Sequence, residues 1–270
     1  LDGVSLAVRG GEVVALYGLM GAGRTELLET LAGARRTAAG LVSVGGEPVG
    51  DLSLPERIRK GLTLIPEDRQ GAGIVPPLSV THNVTLASLR DHARGVFLIG
   101  AKERATVERV RHELDIRMAD PDRPITTLSG GNQQKAVVAR ALLTAPRVLL
   151  MDEPTRGIDV AARAEMFDLM RRLARKGLAI LYSSSDLKEV VGIADRVVVT
   201  AAHCVVDRRG RPEAASDFRF GFGAEAVDAE LEPEVDHVEH GLLQRAAVRT
   251  ARAREAEQLQ PRIVLEGVLE

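Results

Sequence analysis

The 270-residue chain has no tryptophan, only 3% aromatic residues and a single cysteine, Cys204. So few rings leave little for stacking on bases or sugars. One cysteine forms no internal disulfide, which excludes a stapled scaffold and fits a reducing compartment. No apolar run approaches the roughly 20 residues that cross a bilayer as a helix. Any membrane span in a working assembly is therefore expected from another chain. The formal net charge is only -2, so bulk charge offers nothing to nucleic acid. What is present is a 45% apolar chain, long enough to bury the core of one large domain or of a domain with a lobe.

Val4, Leu6 and Val8 alternate with other residues as a half-buried strand does, and residues 13–17 are a continuous apolar run, as in a strand covered on both faces. Gly18-Leu19-Met20-Gly21-Ala22-Gly23-Arg24-Thr25 follows at once, then a helical stretch over 26–31 that Gly33 stops. Strand, glycine loop, helix is the setting of a phosphate-binding loop. The glycines let successive backbone N–H groups point inward, and the helix N-terminus adds partial positive charge. Gly18, Gly21, Ala22, Gly23, Arg24 and Thr25 are thus candidate nucleotide-binding residues, with the Thr25 hydroxyl placed to ligate Mg²⁺. Arg24 stands where the lysine of such a loop reaches the β- and γ-phosphates. Its planar fork on a longer arm keeps the charge but predicts binding with slow hydrolysis. A glycine-rich turn without ligand competes with this assignment when the loop is taken by itself.

Residues 40–44 read as a short strand, Ser53-Leu54-Pro55-Glu56 as the capped start of a helix running to Gly61, and 62–65 as a strand leading into Pro66-Glu67-Asp68-Arg69. From 71 to 127 the character changes. Pro76-Pro77 and Ser79 open an amphipathic stretch through Leu89, and 101–116 is a charged helix with Val107, Val110 and Leu114 at helical spacing. Leu128-Ser129-Gly130-Gly131-Asn132-Gln133-Gln134-Lys135 is a serine helix cap, two glycines that permit close approach and an amide-rich first turn. That combination describes an anion seat. An apolar strand over 147–151 then delivers Asp152-Glu153-Pro154-Thr155 at its carboxyl end. Adjacent acids there divide labour: Asp152 is a candidate to hold Mg²⁺ through water, and Glu153 to orient or deprotonate a water attacking a γ-phosphate. Arg156-Gly157-Ile158-Asp159, a helix over 160–176, a strand over 178–182, the cap Ser183-Ser184-Ser185-Asp186 and a strand over 197–200 complete the pattern.

The run from Leu128 resembles, nearly letter for letter, the signature of ATP-binding-cassette (ABC) ATPases, in which one cassette presents this loop to nucleotide held by a second. The resemblance covers roughly residues 1–200. Gly-Leu-Met-Gly-Ala-Gly-Arg-Thr-Glu, Pro-Glu-Asp-Arg, Ser-Gly-Gly-Asn-Gln-Gln-Lys and Asp-Glu-Pro-Thr-Arg-Gly-Ile-Asp together look like the second, C-terminal cassette of bacterial importers of ribose, galactose or xylose. The resemblance implies an α/β P-loop NTPase cassette with a mixed core sheet and a helical lobe inserted at about 71–145, whose outer face receives a membrane subunit. ATP and Mg²⁺ are the implied cofactors. The implied partners are a second ABC cassette, fused or separate, membrane permease subunits and a periplasmic or extracellular sugar-binding protein, with no nucleic acid. The implied place is peripheral, on the cytoplasmic face of the bacterial cell membrane.

Residue by residue, the resemblance sends Ser129, Gly130, Gly131 and Gln133 to the partner's nucleotide and Asp159 to the cassette interface. It puts Glu67 where the family has a glutamine touching Mg²⁺, and Ser185 where it has a histidine contacting the γ-phosphate. Serine donates one hydrogen bond without charge. Together with Arg24 this implies a degenerate half that lends its signature while its own site turns over weakly or not at all.

Two departures from the family pattern stand out. The first strand is truncated and no first cassette precedes it, which suggests a fragment or a split subunit. Beyond Thr200 the resemblance stops: 201–270 contain no lysine, and an acidic block precedes an arginine cluster. A tail of unknown structure, disordered or non-native, is expected there. Two other functions compete with the importer. One is a non-catalytic nucleotide-binding regulatory half. The other is a cassette of a DNA-repair type ATPase, which ranks last because the interval from Thr25 to Leu128 has no sustained heptad.

Overall fold

The computed structural model describes residues 6–36 and 40–200, and the backbone of 262–266. In chain order the elements are β1 (Leu6–Arg9), β2 (Val13–Tyr17), α1 (Arg24–Ala32), β3 (Leu41–Val44), β4 (Glu47–Pro48), α2 (Leu54–Arg59), β5 (Leu62–Ile65), α3 (Val80–Thr85), β6 (Ala93–Arg94), β7 (Phe97–Leu98) and α4 (Gly100–Leu114). They continue with α5 (Gly130–Leu142), β8 (Val148–Met151), α6 (Val160–Arg175), β9 (Ala179–Ser184), α7 (Leu187–Ile193), β10 (Arg196–Val199) and β11 (Arg262–Glu266).

The central sheet has the order β10-β2-β9-β8-β5, and every pair in it is parallel. Parallel strands require crossovers, and these cover both faces. The alternation along β2 displays the consequence: Val14 and Leu16 join Leu27, Leu28 and Leu31 of α1 in one core layer. Val13 and Ala15 join Met166, Leu169 and Met170 of α6 in the other. Antiparallel pairing, expected within one mixed sheet, is segregated into a second sheet of order β1-β11-β3-β4. Its β11 comes from the segment expected to be a tail and lies antiparallel to both β1 and β3. The rest of 201–270, Cys204 included, lies outside the described residues, as does Val4.

The inserted segment between β5 and β8 is helical, with two differences from expectation. The stretch from Ser79 to Leu89 is not one helix: α3 stops at Thr85 and tightens into a 3₁₀ turn, where Ser88 leaves helical geometry (φ -123°, ψ 24°) and its hydroxyl bonds Thr85 O. A small hairpin then pairs β6 with β7, turning at Gly95 with φ +65° and leaving Val96 and Phe97 exposed. The charged helix ends at Leu114, two residues early, because Asp115 adopts a left-handed conformation (φ 51°). Serine caps perform as expected: Ser53 and Glu56 form a reciprocal capping box at α2, and Ser129 caps α5.

Candidate functional site

At the end of β2 the chain passes Gly18, which is packed against Thr200 with no room for a Cβ, and enters α1 through Gly23 at φ +75°. No side chain caps α1, so its leading N–H groups find no side-chain acceptor. An anion fits that end of the helix. A cavity of about 420 Å³ opens there, lined among others by Gly21, Arg24, Thr25, Glu67, Glu153 and Ser185. The sheet topology thus gathers these six expected site residues from four separate loops. Gly18 and Ala22 are buried behind the cavity.

Inside it, Arg24 Nη1 donates to Glu153 Oε1 at 2.7 Å, with side-chain exposures of 8% and 12%. Glu153 has a positive φ of 42°, a conformation L residues rarely adopt, fixed from β9. Ser183 Oγ accepts from Glu153 N at 2.9 Å and donates to Asp152 Oδ1. One fully buried hydroxyl therefore sets both acids. Asp152 is itself 3% exposed and sits behind the cavity, so among the expected cation ligands Thr25 and Glu67 reach the opening and Asp152 does not. Glu67 is already engaged, in an ion pair with Arg156.

A buried carboxylate that the sequence did not single out organises the far wall. Glu189 accepts from Thr155 Oγ1 at 2.8 Å and Ser184 Oγ at 2.9 Å, and pairs with Arg163 at 3.0 Å. It ties the turn after Glu153 to the strand end that precedes Ser185. Its only sequence signal was a glutamate at the fourth position after Ser185, inside a short helix.

The signature residues sit apart from the cavity, at the N-terminus of α5. Ser129 is exposed, and its Oγ accepts from Asn132 Nδ2 at 2.9 Å. Gly131 is buried, and a Cβ there would lie 2.5 Å from Ala162 Cβ, so this glycine allows α5 to approach α6. Gln133 does not face outward as expected. It is 6% exposed, its Nε2 donates to Leu128 O at 3.1 Å and its Oε1 accepts from Gln70 Nε2 at 2.8 Å. Helix register turns it inward, four residues on from Ser129, where an amide is satisfied by its own loop. Lys135, 3% exposed, donates to Glu165 Oε2 at 2.7 Å and to Asp115 O at 2.8 Å. Asp159 is exposed and caps α6, accepting from Ala162 N at 2.9 Å.

Residues 1–156 match the family described as ABC transporter. The xylose import ATP-binding protein XylG of Burkholderia cenocepacia (strain HI2424) is 48% identical over 200 residues, covering 74% of this chain and 38% of that protein. The ribose import ATP-binding protein RbsA 1 of Rubrobacter xylanophilus is 44% identical over 231 residues, covering 85% and 46%. The arabinose import ATP-binding protein AraG of Mannheimia succiniciproducens is 42% identical over 214 residues, covering 79% and 43%. The chain thus spans less than half the length of these relatives. Among solved structures, a nucleotide-free ATP-binding cassette from an ABC transporter matches with a TM-score of 0.64 at 24% identity, covering 74% of this chain and 81% of that one. A dimeric cassette in a post-hydrolysis state bound to ADP and Pi matches with a TM-score of 0.63 at 22% identity, covering 77% and 86%. These likenesses carry the fold, an α/β ATP-binding cassette.

Proposed function

The chain belongs to the ABC transporter family, and on that premise we propose that it is an ATP-binding half of a bacterial simple-sugar importer that lends its signature loop to a partner cassette. The importer assignment is supported by relatives named for import of xylose, ribose and arabinose. The unequal division of labour rests on one observation: Arg24, in the place of the phosphate-binding lysine, is locked on Glu153. In this assignment residues 1–200 are the cassette, with a lobe at about 71–145 and β11 added to its second sheet.

Arg24, Thr25 and the first N–H groups of α1 would hold the phosphates of ATP. Thr25 and Glu67 would hold Mg²⁺, with Asp152 behind them, and the bound ion offsets phosphate charge. Arg24 must leave Glu153 before it serves a phosphate, and Ser185 supplies no charge in compensation. Ser129 and Gly130, at the surface, would meet the partner's nucleotide, and Asp159 would lie near that interface. Among the described residues no helix is long and apolar enough to cross a membrane. Permease subunits and a periplasmic or extracellular sugar-binding protein complete the proposed assembly, with this chain peripheral on the cytoplasmic face.

In the assembled importer, Ser129→Arg is expected to cut ATP turnover by roughly 10²-fold or more, as loss of a group that meets the reacting phosphate does. Glu153→Gln is expected to change it by less than about twofold, since it acts at the weak site. Equal losses would contradict the division of labour. The same ion pair also favours a second function, a purely regulatory nucleotide-binding half. In that case the chain hydrolyses no ATP with any partner, and Glu153→Gln changes nothing.

A further inference from the structure

Arg163 brings a further cation to the wall of the cavity, beside Arg24 and Arg156. It stands on the first turn of α6, where its backbone N–H donates to Asp159 O at 2.9 Å. The start of a helix favours negative charge, so a cation there is at a disadvantage that its surroundings must offset. Two acids do so: Arg163 Nη1 pairs with Glu189 Oε1 at 3.0 Å and with Asp186 Oδ2 at 3.5 Å. Both contacts fall on one nitrogen. On the opposite side of the same guanidinium, Nε is buried and has no hydrogen-bond partner among the described residues. Buried donors left unpaired are rare, and this one lies on the edge with which arginine grips a second oxyanion.

The acids do not depend on Arg163 for their hydrogen bonds. Glu189 accepts from Thr155 Oγ1 at 2.8 Å and from Ser184 Oγ at 2.9 Å, so it stays satisfied when the guanidinium turns away. Asp186 caps α7, accepting from Lys188 N at 2.9 Å, and is open to water. The Arg163 side chain keeps 36% of its surface exposed, which leaves it room to turn. Ser185, which lies between Ser184 and Asp186, lines the same cavity and offers a hydroxyl without charge.

We propose that Arg163 is a phosphate-binding residue of this cavity, which supplies from α6 the charge that Ser185 lacks and makes the site prefer a nucleoside triphosphate to a diphosphate. The inference rests on the reading of the cavity as a nucleotide site. In that reading the end of the cavity at α1 takes the phosphates that both nucleotides share. The far wall, where Ser185 and Arg163 stand, takes the phosphate that only the triphosphate has. Turning its Nε edge onto that phosphate, the guanidinium exchanges one oxyanion partner for another, and its unpaired donor is satisfied.

The test is calorimetric titration of the full chain with ATP and with ADP, each in Mg²⁺. The native chain is expected to bind ATP the more tightly. In Arg163→Gln, ATP affinity falls roughly tenfold or more, as loss of a charge-assisted hydrogen bond requires, while ADP affinity holds within about twofold. Arg163→Lys, which keeps a cation for Glu189 but loses the fork, decides the matter if the glutamine variant does not fold. It is expected to lose roughly threefold or more for ATP with ADP affinity held. Parallel losses for the two nucleotides, or no loss for ATP, overturn the role of Arg163 alone, because a residue that only shapes the wall does not tell a triphosphate from a diphosphate. Absence of any nucleotide binding by the native chain overturns the cavity assignment and the proposal with it.

Discussion

Arg24 Nη1 and Glu153 Oε1 lie 2.7 Å apart although 129 positions separate them in sequence, so the cation of the glycine loop and the acid at the end of β8 neutralise each other inside the cavity. With both side chains mostly withdrawn from water, the pair is expensive to break from one side only. Under the proposed function it would compete with phosphate for the same guanidinium. Glu153→Gln is therefore expected to raise ATP affinity by roughly three- to tenfold while lowering the stability of the nucleotide-free chain by about 1–3 kcal/mol. Calorimetric titration and urea unfolding measure the two halves. Unchanged affinity would mean that Arg24 does not serve the phosphates.

Gly131 is set by packing. A Cβ at this position would stand 2.5 Å from Ala162 Cβ, whereas at Gly130 it would meet Arg69 Nη2 and Gly157 O at 3.2 Å. Gly131→Ala should cost about 1–3 kcal/mol as α5 is forced away from α6. Ala162→Gly in the same chain should return much of it, which urea unfolding of the single and double variants would register. Simple addition of the two effects would contradict the contact.

Arg57, 2% exposed, binds the C-terminal carbonyls of α1: Nη1 donates to Thr30 O and Leu31 O at 2.7 Å each, and Nε donates to Leu52 O at 2.9 Å. Burial pushes its pKa down, yet the arginine stays charged at neutral pH. Arg57→Met leaves these carbonyls without their donor and should cost about 3 kcal/mol in urea unfolding. Nucleotide affinity should hold within about twofold, since the proposed function puts the phosphates at the opposite end of α1. A selective loss of affinity at full stability would reassign Arg57 to the site.

Lys135 and Glu165 fasten the signature helix to α6. The hydrogen bond from Lys135 holds the Glu165 carboxyl below its ordinary value, helped by the charges of Lys135 and Arg117 and opposed by burial and by Asp115. A depressed carboxylate contributes stability above its unfolded pKa, near 4.3, and loses that contribution as pH falls through the folded value. Glu165 is partly exposed, so solvent reduces the effect. The native chain should exceed Glu165→Gln by about 1 kcal/mol at pH 7, and the gap should close below roughly pH 4. A gap constant from pH 7 to pH 3 would rule out this linkage.

The place of the glycine loop between β2 and α1 and that of the acids after β8 were legible because strand, glycine loop and helix leave the backbone few alternatives, and an apolar strand fixes where Asp152 and Glu153 emerge. The fold class followed from the resemblance of these motifs to those of ATP-binding cassettes, with which the alternation of strands and helices agrees. Gln133 was misplaced because a signature read as letters does not say which side of α5 faces the protein. Three residues after Gly130, an amide turns back onto Leu128 O. Ser183 reads in the sequence only as part of a helix cap and Glu189 not at all, because each is ordinary until the fold brings it beside residues some thirty positions away. The strand β11 escaped for a related reason: a short run amid poor apolar periodicity gains its partners only when β1 and β3 present two open edges.

The most direct test of the division of labour is phosphate release from ATP by this chain alone and after mixing with a full-length first cassette of a sugar importer. Nucleotide binding without release by the chain alone, and release on mixing that Ser129→Arg abolishes, is the predicted result. Steady release by the isolated chain that disappears in Glu153→Gln would contradict it, because the Arg24–Glu153 pair would then belong to a working ATPase site.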